Sequence, residues 1–118
     1  MALVLCTGID LELLATRKLI LEGDGHTVVS TMDQRELEKV CAEQNFDIAI
    51  IGEAMSPKVK RWASQLIREK CPSSRILELY NSYADRSLTD VDAWLAMPRE
   101  HPEEFKEVVN SLAPQRLK

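Results

Sequence analysis

The sequence predicts an α/β fold, a doubly wound sheet of five parallel strands in which one connecting helix is shortened or absent. Three observations carry that expectation. Ala2 to Cys6 and Ile48 to Ile51 are short unbroken apolar runs of the kind that fill buried strands, the second suited to burial on both faces. Between such stretches lie segments with helix-capping residues and apolar residues at helical spacing. The two kinds of segment alternate as βαβαβαβ(…)βα, the order that a sheet covered by helices on both faces requires.

Each element has its own justification. Ala2 to Cys6 forms the first strand, Thr7-Gly8 breaks it, and Asp10 can N-cap a helix from Leu11 to Glu22 that buries Leu14 and Leu21. Gly23 and Gly25 are expected to supply the left-handed backbone that ends this helix. Thr27 to Ser30 is a brief β-branched strand. Asp33-Gln34-Arg35-Glu36 is a capping-box variant opening a second helix that lines Leu37, Val40 and Cys41 along one face up to about Gln44. Asp47 to Gly52 holds the third strand. Ser56 caps the third helix with Pro57 at its first position, where a missing N–H costs nothing. Val59, Trp62, Ala63, Leu66 and Ile67 then make a helical stripe that closes at Cys71-Pro72. Arg75 to Tyr80 and Ala93 to Met97 are strands four and five. The last helix starts near Pro102 and buries Phe105, Val108, Val109 and Leu112. Right-handed crossovers favour the strand order 2-1-3-4-5.

Composition sets the outer bounds. With 118 residues, 45% apolar and 29% charged, the chain is one globular domain, expected over residues 1–113 with a polar tail or linker start over 114–118. A formal charge of −4 argues against a nucleic-acid partner. Cys6, Cys41 and Cys71 are odd in number, far apart and without a C-x-x-C, which fits a reducing compartment rather than a disulfide framework. No apolar run approaches the roughly 18 residues of a membrane span, so a soluble cytoplasmic protein is expected. The histidines and cysteines show no metal-ligand spacing, and the sequence calls for no cofactor.

Function is sought at the third strand. In an open parallel sheet the ligand crevice lies beyond the carboxyl ends of the strands. Asp47-Ile-Ala-Ile-Ile-Gly-Glu-Ala-Met-Ser-Pro57 runs into that crevice, and the residue standing where a functional group belongs is Gly52.

The order and spacing of these elements resemble the CheY-like receiver domains of bacterial response regulators, which have a flavodoxin-like fold. Gly25-His26, the run Asp47 to Met55, Ala93-Trp94-Leu95 leading to Met97-Pro98, and the Pro102-Glu103-Glu104-Phe105 helix start carry the resemblance, over Ala2 to about Leu112. It implies a phosphoacceptor aspartate after strand three, an acid pair after strand one that holds Mg²⁺, a Thr or Ser ending strand four, and a Lys before the proline after strand five. Those positions read Gly52, Thr7-Gly8 (or Gly8-Ile9), Tyr80 and Met97. The resemblance is therefore to a degenerate pseudo-receiver, with no catalytic residue and no metal site.

Each remaining feature has a sharp and a bland reading. Glu53 is either a mimic of a phosphorylated state or, as strand alternation favours, an exposed loop carboxylate. Asp10 is a helix cap rather than a metal ligand. Tyr80 and Met97 are expected to fill the vacated pocket over Gly52, the alternative being a small-ligand site there. Cys6 is a buried structural thiol with no histidine near it. Lys58, Lys60, Arg61, Arg68 and Lys70 are expected to form a basic outer face on the third helix, solvated or docking an acidic partner. Between Tyr80 and Ala93 the turn and capping types Asn81, Ser82, Asp85, Ser87, Thr89, Asp90 and Asp92 predict a loop in place of the family's helix. Tyr83, Leu88, Val91 and Trp94 then make either a contact surface for a protein partner or a second copy, or a seal over the core. The resulting expectation is a non-enzymatic, phosphorylation-independent signalling or scaffold module. The alternative is a small-effector-binding regulatory domain at the carboxyl ends of the strands.

Overall fold

The computed structural model describes residues 2–97 and 102–114. Its elements are β1 (Leu3–Thr7), α1 (Leu11–Gly23), β2 (Thr27–Thr31), α2 (Gln34–Glu43), β3 (Ile48–Ile51), α3 (Pro57–Lys70), β4 (Arg75–Asn81), β5 (Ala93–Met97) and α4 (Pro102–Leu112). All strands run parallel, in the order β2-β1-β3-β4-β5 that the sequence predicts. Link 98–101 and tail residues 115–118, including the expected Met97-Pro98 corner, lie outside the described residues.

The sheet divides two apolar cores by the alternation of its side chains. On one face Val4, Cys6, Ile48, Ile50, Leu77, Leu79 and Leu95 meet Leu14 and Leu21 of α1 and Phe105, Val109 and Leu112 of α4. On the other, Leu5, Ala49, Ile51 and Ile76 meet Leu37 and Cys41 of α2 and Ala63 and Ile67 of α3. β3 is buried at every residue, as the unbroken Ile-Ala-Ile-Ile run requires. The caps form as expected, with Asp10, Asp33 and Ser56 accepting from Leu13 N–H, Glu36 N–H and Val59 N–H. At the end of α1 only Gly25 takes a positive φ, 92°, so the expected role of Gly23 falls to one glycine. Next to it His26 Nδ1 accepts from Ala2 N–H at 3.1 Å, and its Nε2 lies 2.8 Å from Asn110 Oδ1, tying the start of the chain to α4.

No helix joins β4 to β5. A single buried carboxylate organises the connection instead. Glu78, in the middle of β4, is 0% exposed. Its Oε2 accepts from Lys60 Nζ and from Ser87 N–H, both at 2.9 Å, and its Oε1 accepts from Leu88 N–H at 2.9 Å. Lys60 Nζ also donates to the Leu79 carbonyl at 2.9 Å. Lys60 is buried, so it leaves the basic outer face expected of the third helix. The loop is fastened further by Asp92, whose Oδ2 accepts from Ile76 N–H at 2.7 Å, and by Arg68, which donates to Asp90 O at 3.1 Å.

Lys60→Met leaves Glu78 as a buried charge without its counter-ion, and the expected loss in urea unfolding is about 3–5 kcal/mol. Replacing both partners with apolar residues (Lys60→Met with Glu78→Leu) is not expected to restore stability. Ser87 N–H and Leu88 N–H lose their acceptor, which leaves a deficit of about 1–3 kcal/mol. A double variant as stable as the parent contradicts this account.

Candidate functional site

The crevice at the carboxyl ends of β1 and β3 is closed around Gly52. Gly52 N–H bonds Thr7 O at 2.9 Å, extending the pairing of the two strands. A Cβ at Gly52 would stand 3.2 Å from Thr7 O, 3.5 Å from Gly8 Cα and 3.7 Å from Arg17 Nη1. Between Gly8, Arg17, Gly52 and Glu53 the remaining space is ≈ 10 Å³, room for about one water at most.

Arg17 closes it. The side chain comes from α1, is 5% exposed, and its Nη2 forks onto Glu53 Oε1 and Oε2 at 2.7 and 2.8 Å. Glu53 is thus a partly buried member of an ion pair, which corrects the expectation of an exposed loop carboxylate. Both contacts come from one nitrogen, so the pair is a charge-assisted contact shared by the two carboxylate oxygens.

Tyr80 and Met97 do not share this place. Met97 packs on the α1/α4 core, whereas Tyr80 alternates with Ile76 and Glu78 and so faces the α2/α3 side. Their expected joint role as fillers over Gly52 is taken by Arg17. Thr7 is buried and pairs in register with Thr31 and Ile51, and the buried Gly8 donates its N–H to Thr31 O at 3.1 Å. Burial pushes the Cys6 thiol up to about 12, against the opposing pull of the nearby Arg17 charge, so it stands protonated at neutral pH and is no nucleophile.

The chemistry available here does not fit Mg²⁺. That ion takes several hard oxygen ligands, usually with one or two carboxylates among them. Thr7, Gly8 and Gly52 bring no carboxylate, Glu53 is held by Arg17, Asp10 caps α1 through Leu13 N–H, and a fixed guanidinium beside the site repels a cation. Among the described residues no group of three or more His, Cys, Asp or Glu could hold a metal ion.

The loop between β4 and β5 makes a second surface. Leu88 is buried in the α2/α3 core, Val91 and Trp94 are half-buried, and Tyr83 is 92% exposed. Trp94 Nε1 donates to Leu88 O at 2.9 Å, and Arg86 lies over the indole 4.8 Å from its centroid. Leu88 therefore folds back against the core while Tyr83 stands out from it. Asp85, Arg86, Leu88, Thr89 and Trp94 line a shallow recess of ≈ 460 Å³ there. A third space, an apolar groove of ≈ 230 Å³, opens between α2 and α3 against Thr7, Met32, Met55 and Trp62.

Sequence reasoning missed the roles of Arg17, Glu78 and Lys60, although each carried a signal. Arg17 falls between Leu14 and Leu21 on the buried stripe of α1, and Glu78 interrupts Ile76-Leu77-Glu78-Leu79. A charge at a core position calls for a buried partner. Lys60 carried the same mark, falling with Ala63 and Ile67 at i, i+3 and i+7 on the buried stripe of α3, but it was grouped with the basic residues of the outer face.

Gly52→Asp tests the closed crevice. Its Cβ crowds the Thr7 carbonyl and its carboxylate competes with Glu53 for Arg17, so a loss of about 1–3 kcal/mol in urea is expected. A variant as stable as the parent and able to bind Mg²⁺ contradicts a filled site.

No family model matches the chain, and no curated protein sequence does. Solved structures do. The chemotaxis response regulator CheY4 of Vibrio cholerae superposes with a TM-score of 0.81 at 19% identity, covering 95% of this chain and 98% of that one. The response regulator TrrA of Thermotoga maritima, in complex with Mg²⁺-BeF, gives 0.77 at 21% identity over 95% and 99% of the two chains. A signal receiver domain of a histidine kinase from Clostridium thermocellum gives 0.72 at 11% identity over 94% and 96%. The fold of this chain is that of the CheY-like response-regulator receiver domains.

Proposed function

We propose that this chain is a receiver-fold module of two-component signalling type that acts by protein–protein interaction, without catalysis and without phosphorylation. One observation carries the reading. Where a receiver's acid cluster would stand, Gly52 lies against the buried Arg17 guanidinium, and Arg17 is already neutralised by Glu53. Phosphoryl transfer to a receiver needs a nucleophilic carboxylate and a metal-held acid pair. Thr7, Gly8 and Gly52 supply neither. Glu53, drawn onto Arg17, is a fixed internal charge and not an acceptor.

A protein partner is the natural ligand for such a module. TrrA of Thermotoga maritima has been solved in complex with the histidine kinase ThkA. For the present chain the contact face is proposed around the β4–β5 loop, where Tyr83 projects and Val91 and Trp94 are half-exposed. The partner is another protein or a second copy of the chain. The formal charge of −4 disfavours nucleic acid, and no described helix is long and apolar enough to cross a membrane. The functional unit is residues 1–113, acting in the cytoplasm.

A second reading, regulation by a small effector, draws on the groove between α2 and α3. Its lining includes Ile9, Met32, Leu37, Met55, Val59 and Trp62 but no cationic side chain. An uncharged apolar ligand suits that lining better than a phosphorylated one.

Incubation with acetyl phosphate and Mg²⁺, followed by intact mass measurement, is expected to leave the mass unchanged. A single phosphoryl adduct that is lost in base would overturn the proposal. A melting temperature raised by apolar metabolites and blunted by Met55→Lys would favour the second reading.

A further inference from the structure

The fold selects two of the three cysteines as neighbours. Cys41, on the inner face of α2, and Cys71, which closes α3, are 30 positions apart in sequence, and both are buried. Cys71 Sγ lies 3.7 Å from the Cys41 carbonyl oxygen and 3.4 Å from that of Gln44, and both cysteines belong to the α2/α3 core. Cys6 belongs to the core on the opposite face of the sheet. Spacing in the sequence gave no sign of this pair, because β3 and α3 lie between its members.

We propose that Cys41 and Cys71 are a modification site that closes to a reversible disulfide, with a small-molecule disulfide as the oxidant. The thiolate of one cysteine attacks a sulfur of the small disulfide, whose S–S bond breaks and releases one small thiol. The second protein thiol gives up its proton and attacks the mixed disulfide. It forms the Cys41–Cys71 bond and releases the other small thiol. Two protein thiols are oxidised and one small disulfide is reduced to two thiols.

Burial decides the kinetics. It pushes the Cys41 thiol up to about 12, with the neighbouring Cys71 adding to the rise, so thiolate is scarce while α2 is seated. The first attack therefore waits for the end of α2 to open. Gln44 N–H to Val40 O at 2.9 Å and the two Cys71 thiol contacts hold that end in place. The second attack is favoured by the fold, since reseating α2 returns each sulfur to the other. The bond would join α2 to α3 near Phe46 and Ser74, whose hydroxyl donates to the Phe46 carbonyl. This is the end of the sheet away from Gly52, so oxidation stiffens the α2/α3 layer without entering the crevice.

The test uses the unmodified chain with oxidised glutathione. The expected product has lost the mass of two hydrogens, maps by peptide analysis to Cys41–Cys71, and unfolds at higher urea. Dithiothreitol reverses it, and Cys6→Ser forms it equally well. Formation is slow in buffer and faster in urea below the unfolding transition. A persistent glutathione adduct without the mass loss, a bond to Cys6, covalent dimers, or no reaction even in mild urea would each overturn the proposal.

Discussion

The Glu78 carboxylate is the constraint on which the rest of this molecule depends. A charge in the centre of β4 is intolerable in an apolar layer unless every lone pair is answered. Lys60 answers from α3, and the N–H groups of Ser87 and Leu88 answer from the loop. The same contacts that satisfy the charge hold down a connection too short for a helix with two loops. With Ser87 and Leu88 fixed, Leu88 enters the α2/α3 core and its carbonyl receives the indole N–H of Trp94. One buried acid thus fixes the loop, the covering of β5 and the orientation of its aromatic residue.

A second ion pair does related work at the carboxyl ends of β1 and β3. There Nη2 of the chain's own Arg17 contacts both carboxylate oxygens of Glu53. Arg17–Glu53 fills the crevice beside Gly52, whereas Lys60–Glu78 lies between α3 and the middle of β4, so the two internal salt bridges fix different parts of the molecule.

Most of the fold was legible in the sequence because backbone signals are local. The Ile48 to Ile51 run, the Ser56-Pro57 start and the turn-forming composition of 81–92 each specify one element without reference to the others. The strand order followed from handedness. What was not legible depended on long-range pairing. Lys60 looked like one more base on a charged helix face, although it shares the buried stripe with Ala63 and Ile67, and the position of Glu78 across the α3–β4 contact shows what it meets there. Tyr80 and Met97 looked like partners because both end strands, yet strand alternation places them on opposite faces of the sheet. Arg17 was hidden for a simpler reason. A single long side chain on α1 reaches across the crevice, and its apolar stem lets it sit on a buried stripe. The proximity of Cys41 and Cys71 is likewise a product of packing, invisible to any spacing rule.

The most direct measurement is native-state hydrogen exchange at the amides of Ser87 and Leu88. If Glu78 holds the loop in a single arrangement, both amides exchange only through large-scale unfolding, and acetyl phosphate with Mg²⁺ leaves their protection unchanged. Exchange at the rate of an open loop, or protection that changes on adding the phosphodonor, would contradict the account.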